Sequence, residues 1–134
     1  MTKYTVEVVS THVCQLGEGP HWESESQTLY YVDFLNGDVC QWDPKTQESK
    51  VVHIGDIVSF VVPVKGEKNE FLISEVNKLY KLNLETQRKQ LLAEIEQGCK
   101  FNDAKCDASG RLWIGTFGPE SSPGVVTPGR GQFS

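Results

Sequence analysis

Val39-Cys40-Gln41-Trp42-Asp43-Pro44-Lys45-Thr46-Gln47 aligns with Leu79-Tyr80-Lys81-Leu82-Asn83-Leu84-Glu85-Thr86-Gln87 at an offset of 40 residues. Each copy is a short apolar run closed by Asp or Asn, and the shared Thr-Gln that follows argues against coincidence. Working outward, strand centres at Leu29, Phe71 and Leu112 stand 42 and 41 residues apart. That spacing lies in the range of about 40 to 50 residues occupied by the blades of a β-propeller, each a four-stranded sheet. The fold class is therefore all-β and the architecture a propeller, with a single β-sandwich of accidental spacing as the alternative. Blades are expected at about residues 16–55 and 56–97, with a partial one over 98–134, in one domain covering 1–134. Since a ring needs at least about four blades, roughly two and a half blades predict an incomplete propeller.

Around those centres the apolar period is two. Leu29-Tyr30-Tyr31-Val32 follows the polar turn Glu23-Ser24-Glu25-Ser26-Gln27, and Val39-Cys40-Gln41-Trp42 follows Asn36-Gly37-Asp38, a pattern that joins antiparallel strands into a three-strand meander. Val58 to Val64, Glu70 to Ser74 and Lys78 to Leu82 repeat the plan, with Lys65-Gly66-Glu67-Lys68-Asn69 as a turn. Gln87 to Glu96 offers the one helix candidate; it lacks a convincing cap, and strand plus loop is the other reading. Pro119 to Gly131 reads as a Gly/Pro/Ser-rich loop, and Gly131-Gln132-Phe133-Ser134 as the start of another strand.

Composition excludes several function classes. A charged fraction of 23%, a hydrophobic fraction of 38% and thirteen Trp, Tyr and Phe describe a chain able to bury a core. No apolar run reaches membrane-spanning length, so no membrane partner is expected. Thirteen basic against eighteen acidic residues give a net charge of −5, without the basic patch of a nucleic-acid binder. The N-terminus enters an alternating pattern with no signal-peptide core, and no Asn-x-Ser/Thr acceptor occurs, so a cytoplasmic protein is expected. Cys14, Cys40, Cys99 and Cys106 lack zinc-ribbon spacing and read as reduced, partly buried thiols, with no base placed beside any of them by the sequence.

Two clusters carry chemistry. In Gly17-Glu18-Gly19-Pro20-His21-Trp22 a carboxylate stands between two glycines, a pattern of tight turning or close approach. Glu18 is then held on a turn or strand end where it reaches a metal ion, or it is a solvated glutamate in a plain turn. The second cluster is Lys100-Phe101-Asn102-Asp103-Ala104-Lys105-Cys106-Asp107 before the strand Arg111-Leu112-Trp113-Ile114-Gly115-Thr116. In a propeller the first strand of each blade lines the central channel, which lets Asn102 face the channel that Glu18 also faces. An oxygen-rich Glu, Asn and Asp set suits a hard divalent cation. Asp103 and Asp107 serve equally as turn caps, and for Asp107, before Ala-Ser-Gly, capping is the preferred reading.

L-G-E-G-P-H-W, T-L-Y-Y-V-D and F-N-D-A-K-C-D-A-S-G-R-L-W-I-G-T together resemble the senescence marker protein-30, gluconolactonase and luciferin-regenerating enzyme family, close to its regucalcin-like branch. The resemblance covers nearly the whole chain but only the N-terminal part of the family's length. It implies a six-bladed propeller, one divalent cation in the channel (calcium or zinc, with manganese and magnesium as alternatives), and hydrolysis of a small-molecule sugar lactone. Glu18 matches the family's glutamate metal ligand, Asn102 a substrate-contacting asparagine, and Glu120 a lid-side glutamate that contacts substrate. Lys100 falls where a substrate-binding arginine is usual; a lysine supplies a point charge in place of a planar fork. Ala104 replaces a usual glycine. The resemblance places an asparagine ligand and the aspartate general base in the C-terminal part, so no catalytic residue is assigned here and the chain alone is expected to be inactive. A non-catalytic calcium-binding or protein-interaction propeller is the second reading, motivated by Lys100 and Ala104.

Overall fold

The computed structural model describes residues 3–134, and among them there are twelve β-strands and no helix. The first sheet is β1 (Gly17–Glu23), β2 (Thr28–Asp33), β3 (Asp38–Asp43) and β4 (Glu48–His53), four antiparallel strands in chain order. The second repeats it with β5 (Val61–Pro63), β6 (Glu70–Glu75), β7 (Lys78–Asn83) and β8 (Lys89–Glu94). A third begins with β9 (Lys100–Cys106) and β10 (Leu112–Phe117), and a small hairpin, β11 (Glu120–Ser122) and β12 (Val125–Val126), follows.

The hairpin turns explain why the sequence repeats. In three of them a polar residue ending the outgoing strand accepts hydrogen bonds from the turn backbone. Glu23 accepts from the N–H of Glu25 and Ser26, Asp43 from Lys45, and Asn83 from Glu85 and Thr86. A glutamine then closes each turn in the left-handed region: Gln27 at φ 56°, Gln47 at 57° and Gln87 at 58°. The Thr-Gln signature is thus the chemistry of one turn type used again, a side-chain cap followed by a left-handed residue.

β-Strand alternation builds the core. Val61 of β5 joins Tyr30, Val32, Val39, Phe71, Ile73 and Leu82 between the first and second sheets. Its neighbour Val62 points the other way and joins Phe60, Phe101 and Ala104 between the second sheet and the third. Consecutive sheets therefore pack face to face, and β1, β5 and β9, the first strand of each, contact their neighbours along the inner edge. At the opposite edge every residue of β8 is exposed. Successive antiparallel sheets stacked in this way are propeller blades.

Three local readings are decided. Residues 87–96 hold strand β8 and no helix, because Lys89 to Glu94 pair with Lys78 to Leu82. The stretch 119–131 is not a plain loop, since Glu120 pairs with Val126 across the small hairpin. Gln132 to Ser134 turn back onto β10: Ile114 and Ser134 exchange N–H···O bonds of 2.8 and 3.1 Å, and Phe133 stacks on Trp113 at 5.5 Å.

Candidate functional site

A cavity of about 320 Å³ opens beside the inner strands and is lined by Glu18, Ser59, Asn102, Asp103 and Glu120, with Leu16, Phe34, Phe117 and Val126 as its apolar wall. Glu18, Asn102 and Glu120, 102 positions apart at their extremes, thus share one concave surface.

Each is brought there by an interruption of regular pairing. In β1, Glu18 pairs with Val32 while the next paired residue, His21, faces Tyr30, so a bulge sits between them. Gly19 occupies the bulge with φ +55°, and a Cβ there would lie 3.4 Å from the Ser59 carbonyl oxygen and 3.7 Å from Phe60 Cα. Glycine is needed at that position for both its conformation and its contact. Gly17 carries neither constraint; its nearest neighbour is Cys14 Cβ at 3.7 Å. In β9 the register slips between Ala104, opposite Ile114, and Phe101, opposite Thr116. Asn102 and Asp103 therefore both stand exposed between buried Phe101 and Ala104, where strict alternation would have hidden one of them.

The scaffold beneath these bulges is hydrogen-bonded and buried. Asp33, with no exposed surface, accepts from the N–H of Gln15 at 2.9 Å and Leu16 at 3.2 Å, and from Asn36 through its N–H at 3.4 Å and Nδ2 at 2.8 Å. Burial pushes the Asp33 carboxyl up, but these donors outweigh it and leave its pKa lowered. The chain entering Glu18 is fixed by that carboxylate. On the other side, buried Ser59 donates its hydroxyl to the Phe101 carbonyl at 2.7 Å and its own N–H to Ser74 Oγ at 2.8 Å. Phe101 N–H reaches Val76 O at 2.9 Å, so the residue before Asn102 is tied at both backbone groups.

Lys100 does not stand free in the cavity. Its Nζ is 2.7 Å from Glu120 Oε2 and 5.7 Å from the Phe117 ring centroid. Glu120 Oε1 also accepts from Gly124 N–H at 3.2 Å. The Lys100 bond, together with that amide, holds the Glu120 carboxyl below its ordinary value. Ala104 is buried and packs in the core beside Phe101, with its backbone in the ladder opposite Ile114, so the methyl group is accommodated. Asp103 caps the neighbouring Ala104 N–H at 3.1 Å. Asp107 is a turn cap: it takes Ser109 and Arg111 N–H, Arg111 Nε at 2.7 Å and Trp113 Nε1 at 3.1 Å. These bonds, Trp113 first, hold it at about 2.

The donors facing the cavity are oxygens, which suit a hard divalent cation. Two of the carboxylates are engaged within the chain, Glu120 by Lys100 and Asp103 by Ala104. Glu18 has no hydrogen-bond or ion-pair partner among the described residues, which leaves its carboxylate open to a ligand. The residues present thus fit one protein ligand of such an ion. Sequence reasoning passed over Ser59, which lines the cavity and which no motif marks, and gave no role to Asp33, the last residue of the T-L-Y-Y-V-D stretch.

Another grouping was not expected. The four cysteines are free, as anticipated, but His12 Nε2 lies 3.6 Å from Cys40 Sγ, so a base does stand beside one of them. Fourteen residues of irregular chain carry His12 back over β3, a placement that spacing alone could not disclose.

Stacked four-stranded antiparallel blades with an oxygen-lined cavity at the inner strands define part of a β-propeller. Residues 16–131 match the family model described as SMP-30/Gluconolactonase/LRE-like region, and the chain belongs to that family. It is 31% identical to regucalcin of Xenopus laevis and 32% identical to that of Pongo abelii, with 99% of this chain and 45% of each relative covered. A Bacillus subtilis protein provisionally named sugar lactone lactonase YvrE is 31% identical over 78% of this chain and 36% of its own length. Among solved structures, a luciferin-regenerating enzyme superposes with TM-score 0.78 at 26% identity, covering 85% of this chain and 40% of that one. A regucalcin from Agrobacterium tumefaciens, described as a calcium-binding protein, gives 0.75 at 26% identity, with 83% and 38% covered. The chain spans less than half the length of these relatives.

Proposed function

We propose that this chain is the N-terminal part of a divalent-metal-dependent sugar lactone hydrolase. The observation that carries the proposal is the convergence of Glu18, Asn102 and Glu120 on one cavity of about 320 Å³. Glu18 supplies a carboxylate ligand to the cation, which when bound withdraws electron density from a lactone carbonyl. Asn102, on its bulge, presents an amide that donates to or accepts from sugar hydroxyls. Lys100 and Glu120 form a polarised pair at the rim; a lactone oxygen binding there takes one Lys100 donor and leaves the others on Glu120. Phe34 and Phe117 supply an apolar wall against the sugar ring and limit water access. No general base is assigned among these residues, and the isolated chain is expected to be inactive. Four free cysteines fit a reducing compartment, the cytoplasm.

The test is aldonolactone hydrolysis by the complete protein with calcium, zinc or manganese. Turnover that needs the cation and falls at least about a hundredfold in Glu18→Gln is expected; turnover indifferent to chelator in a folded protein would sink the proposal. The Lys100–Glu120 pair favours a second reading, a non-catalytic calcium-binding or protein-interaction propeller, because both substrate-contact side chains already satisfy each other. Lys100→Arg separates the two: a complete protein that stays inactive in both forms yet binds calcium through Glu18 is the non-catalytic one.

A further inference from the structure

We propose that His12, Cys14 and Cys40 form a separate metal site for one thiophilic d10 cation, zinc(II) or copper(I), which ties the N-terminal segment to the first sheet. The ligand atoms of the three residues all lie within 4.8 Å of one another, and His12 Nε2 is 3.6 Å from Cys40 Sγ. Around a tetrahedral zinc, with metal–nitrogen bonds of about 2.0–2.1 Å and metal–sulfur bonds of about 2.3 Å, an N–S ligand pair stands about 3.5 Å apart and an S–S pair about 3.8 Å. The pair distance present is that of ligands sharing an ion, so small side-chain adjustments complete the site.

The donor set also selects the ion. Two sulfurs and one imidazole are soft or borderline ligands, unlike the oxygens around Glu18, and they exclude calcium and magnesium. The backbone is already organised for binding. Cys40 lies in the middle of β3 with no exposed surface. His12 N–H is held by Ser10 Oγ at 3.1 Å, and Ser10 Oγ meets Ser49 Oγ of β4 at 3.0 Å. Immediately after Cys14, the Gln15 and Leu16 amides are fixed by Asp33. Three protein ligands leave a fourth position open. A cavity of about 330 Å³ lined by His12, Tyr31, Trp42 and the stretch holding Glu18 adjoins the site at His12. Trp42, also in that lining, keeps its Nε1 buried without a hydrogen-bond partner among the described residues.

The experiment uses the reduced protein, handled without oxygen and titrated with zinc(II), copper(I) and cobalt(II), the last as an optical probe. One equivalent of cobalt is expected to produce thiolate-to-metal charge-transfer absorption, and zinc or copper(I) to displace it. Bound metal protects the partly exposed Cys14 from alkylation, while exposed Cys106 stays reactive. Cys14→Ser and His12→Ala each weaken binding at least about tenfold. Asn102→Ala, which alters the 320 Å³ cavity alone, leaves the charge-transfer band unchanged and keeps this site distinct from that cavity. Cys40→Ser removes a buried thiol, so the two more exposed variants carry the conclusion if it fails to fold. Competition against a chelator of known affinity tells whether zinc or copper(I) is preferred. An oxygen-only cobalt spectrum, equal alkylation of Cys14 with and without metal, loss of the band in Asn102→Ala but not in Cys14→Ser, or a Cys14–Cys40 disulfide in protein prepared under reductant would overturn the proposal.

Discussion

Asp33→Asn should destabilise the protein by about 3 to 5 kcal/mol, although it changes one atom of one side chain. Asp33 Oδ1 accepts from Leu16 and Asn36 N–H, and Oδ2 from Gln15 N–H and Asn36 Nδ2. An asparagine retains one oxygen and turns the other corner into an N–H₂ donor, so at least two of the four bonds become donor against donor. Hydrogen bonds to a charged acceptor contribute about 1.5–3 kcal/mol each, and a buried unsatisfied donor costs about 1–3 kcal/mol. Asn36 is less buried than Asp33 and can turn toward water, which places the total in the lower part of that range. The control is Asp43→Asn, where the half-buried carboxylate at an exposed turn accepts only Lys45 N–H, and the cost should stay below about 1 kcal/mol. Both are read from urea denaturation followed by tryptophan fluorescence. The pH dependence supplies an independent arm. Because the folded pKa of Asp33 is lowered, its contribution is fully present above the ordinary carboxylate value of about 3.9 and is lost as pH falls through the folded value. The gap between parent and variant should therefore narrow in acid. A variant within about 1 kcal/mol of the parent at neutral pH, or a gap that persists unchanged into strong acid, would refute the view that this carboxylate anchors the entry to Glu18.

Gly19→Ala should cost about 1–2 kcal/mol and disturb Glu18, since it puts a Cβ at φ +55° and 3.4 Å from the Ser59 carbonyl; thermal melts together with cation titration check both effects. Gln47→Gly, at φ 57° in an exposed turn, should stabilise by about 0.5–1 kcal/mol, and a lower melting temperature would contradict the turn assignment. Lys100→Gln should let the Glu120 carboxyl rise toward its ordinary value, as read by carbon-13 NMR titration. In the parent that pairing is present above the carboxylate range and is lost as pH falls through the lowered value, so β11–β12 amides should lose protection relative to their intrinsic exchange rates in acid.

The blades were legible because their turns repeat chemically. The Asp43 and Asn83 caps, with Thr-Gln behind them, are local hydrogen bonding, and local bonding leaves its mark on sequence at a fixed period. The inner-edge placement of Glu18 and Asn102 was legible through the blade period, but the local backbone that exposes both at the cavity was not. That depends on register slips in β1 and β9, fixed by which backbone groups find partners across the sheet. Gln87 to Glu96 stayed open between helix and strand because β8 is an outer strand with every residue exposed, so the alternation that marks a half-buried strand is absent. The His12, Cys14 and Cys40 grouping was invisible because its partners are joined by an irregular segment with no period.

The same contrast explains how this scaffold can carry chemistry at one edge without losing its packing. The faces of the blades are closed by apolar residues such as Val32, Ile73 and Leu82, and a change there is felt across two sheets at once. The inner-edge bulges are bordered by buried residues, Phe101 and Ala104 in β9, while the side chains they expose contribute nothing to the core. Substituting Glu18 or Asn102 should therefore alter ligand binding with little change in stability, whereas substituting Gly19 or Asp33 should alter both. A measured loss of stability in Glu18→Gln comparable to that of Asp33→Asn would show that the site and the scaffold are not separable in this way.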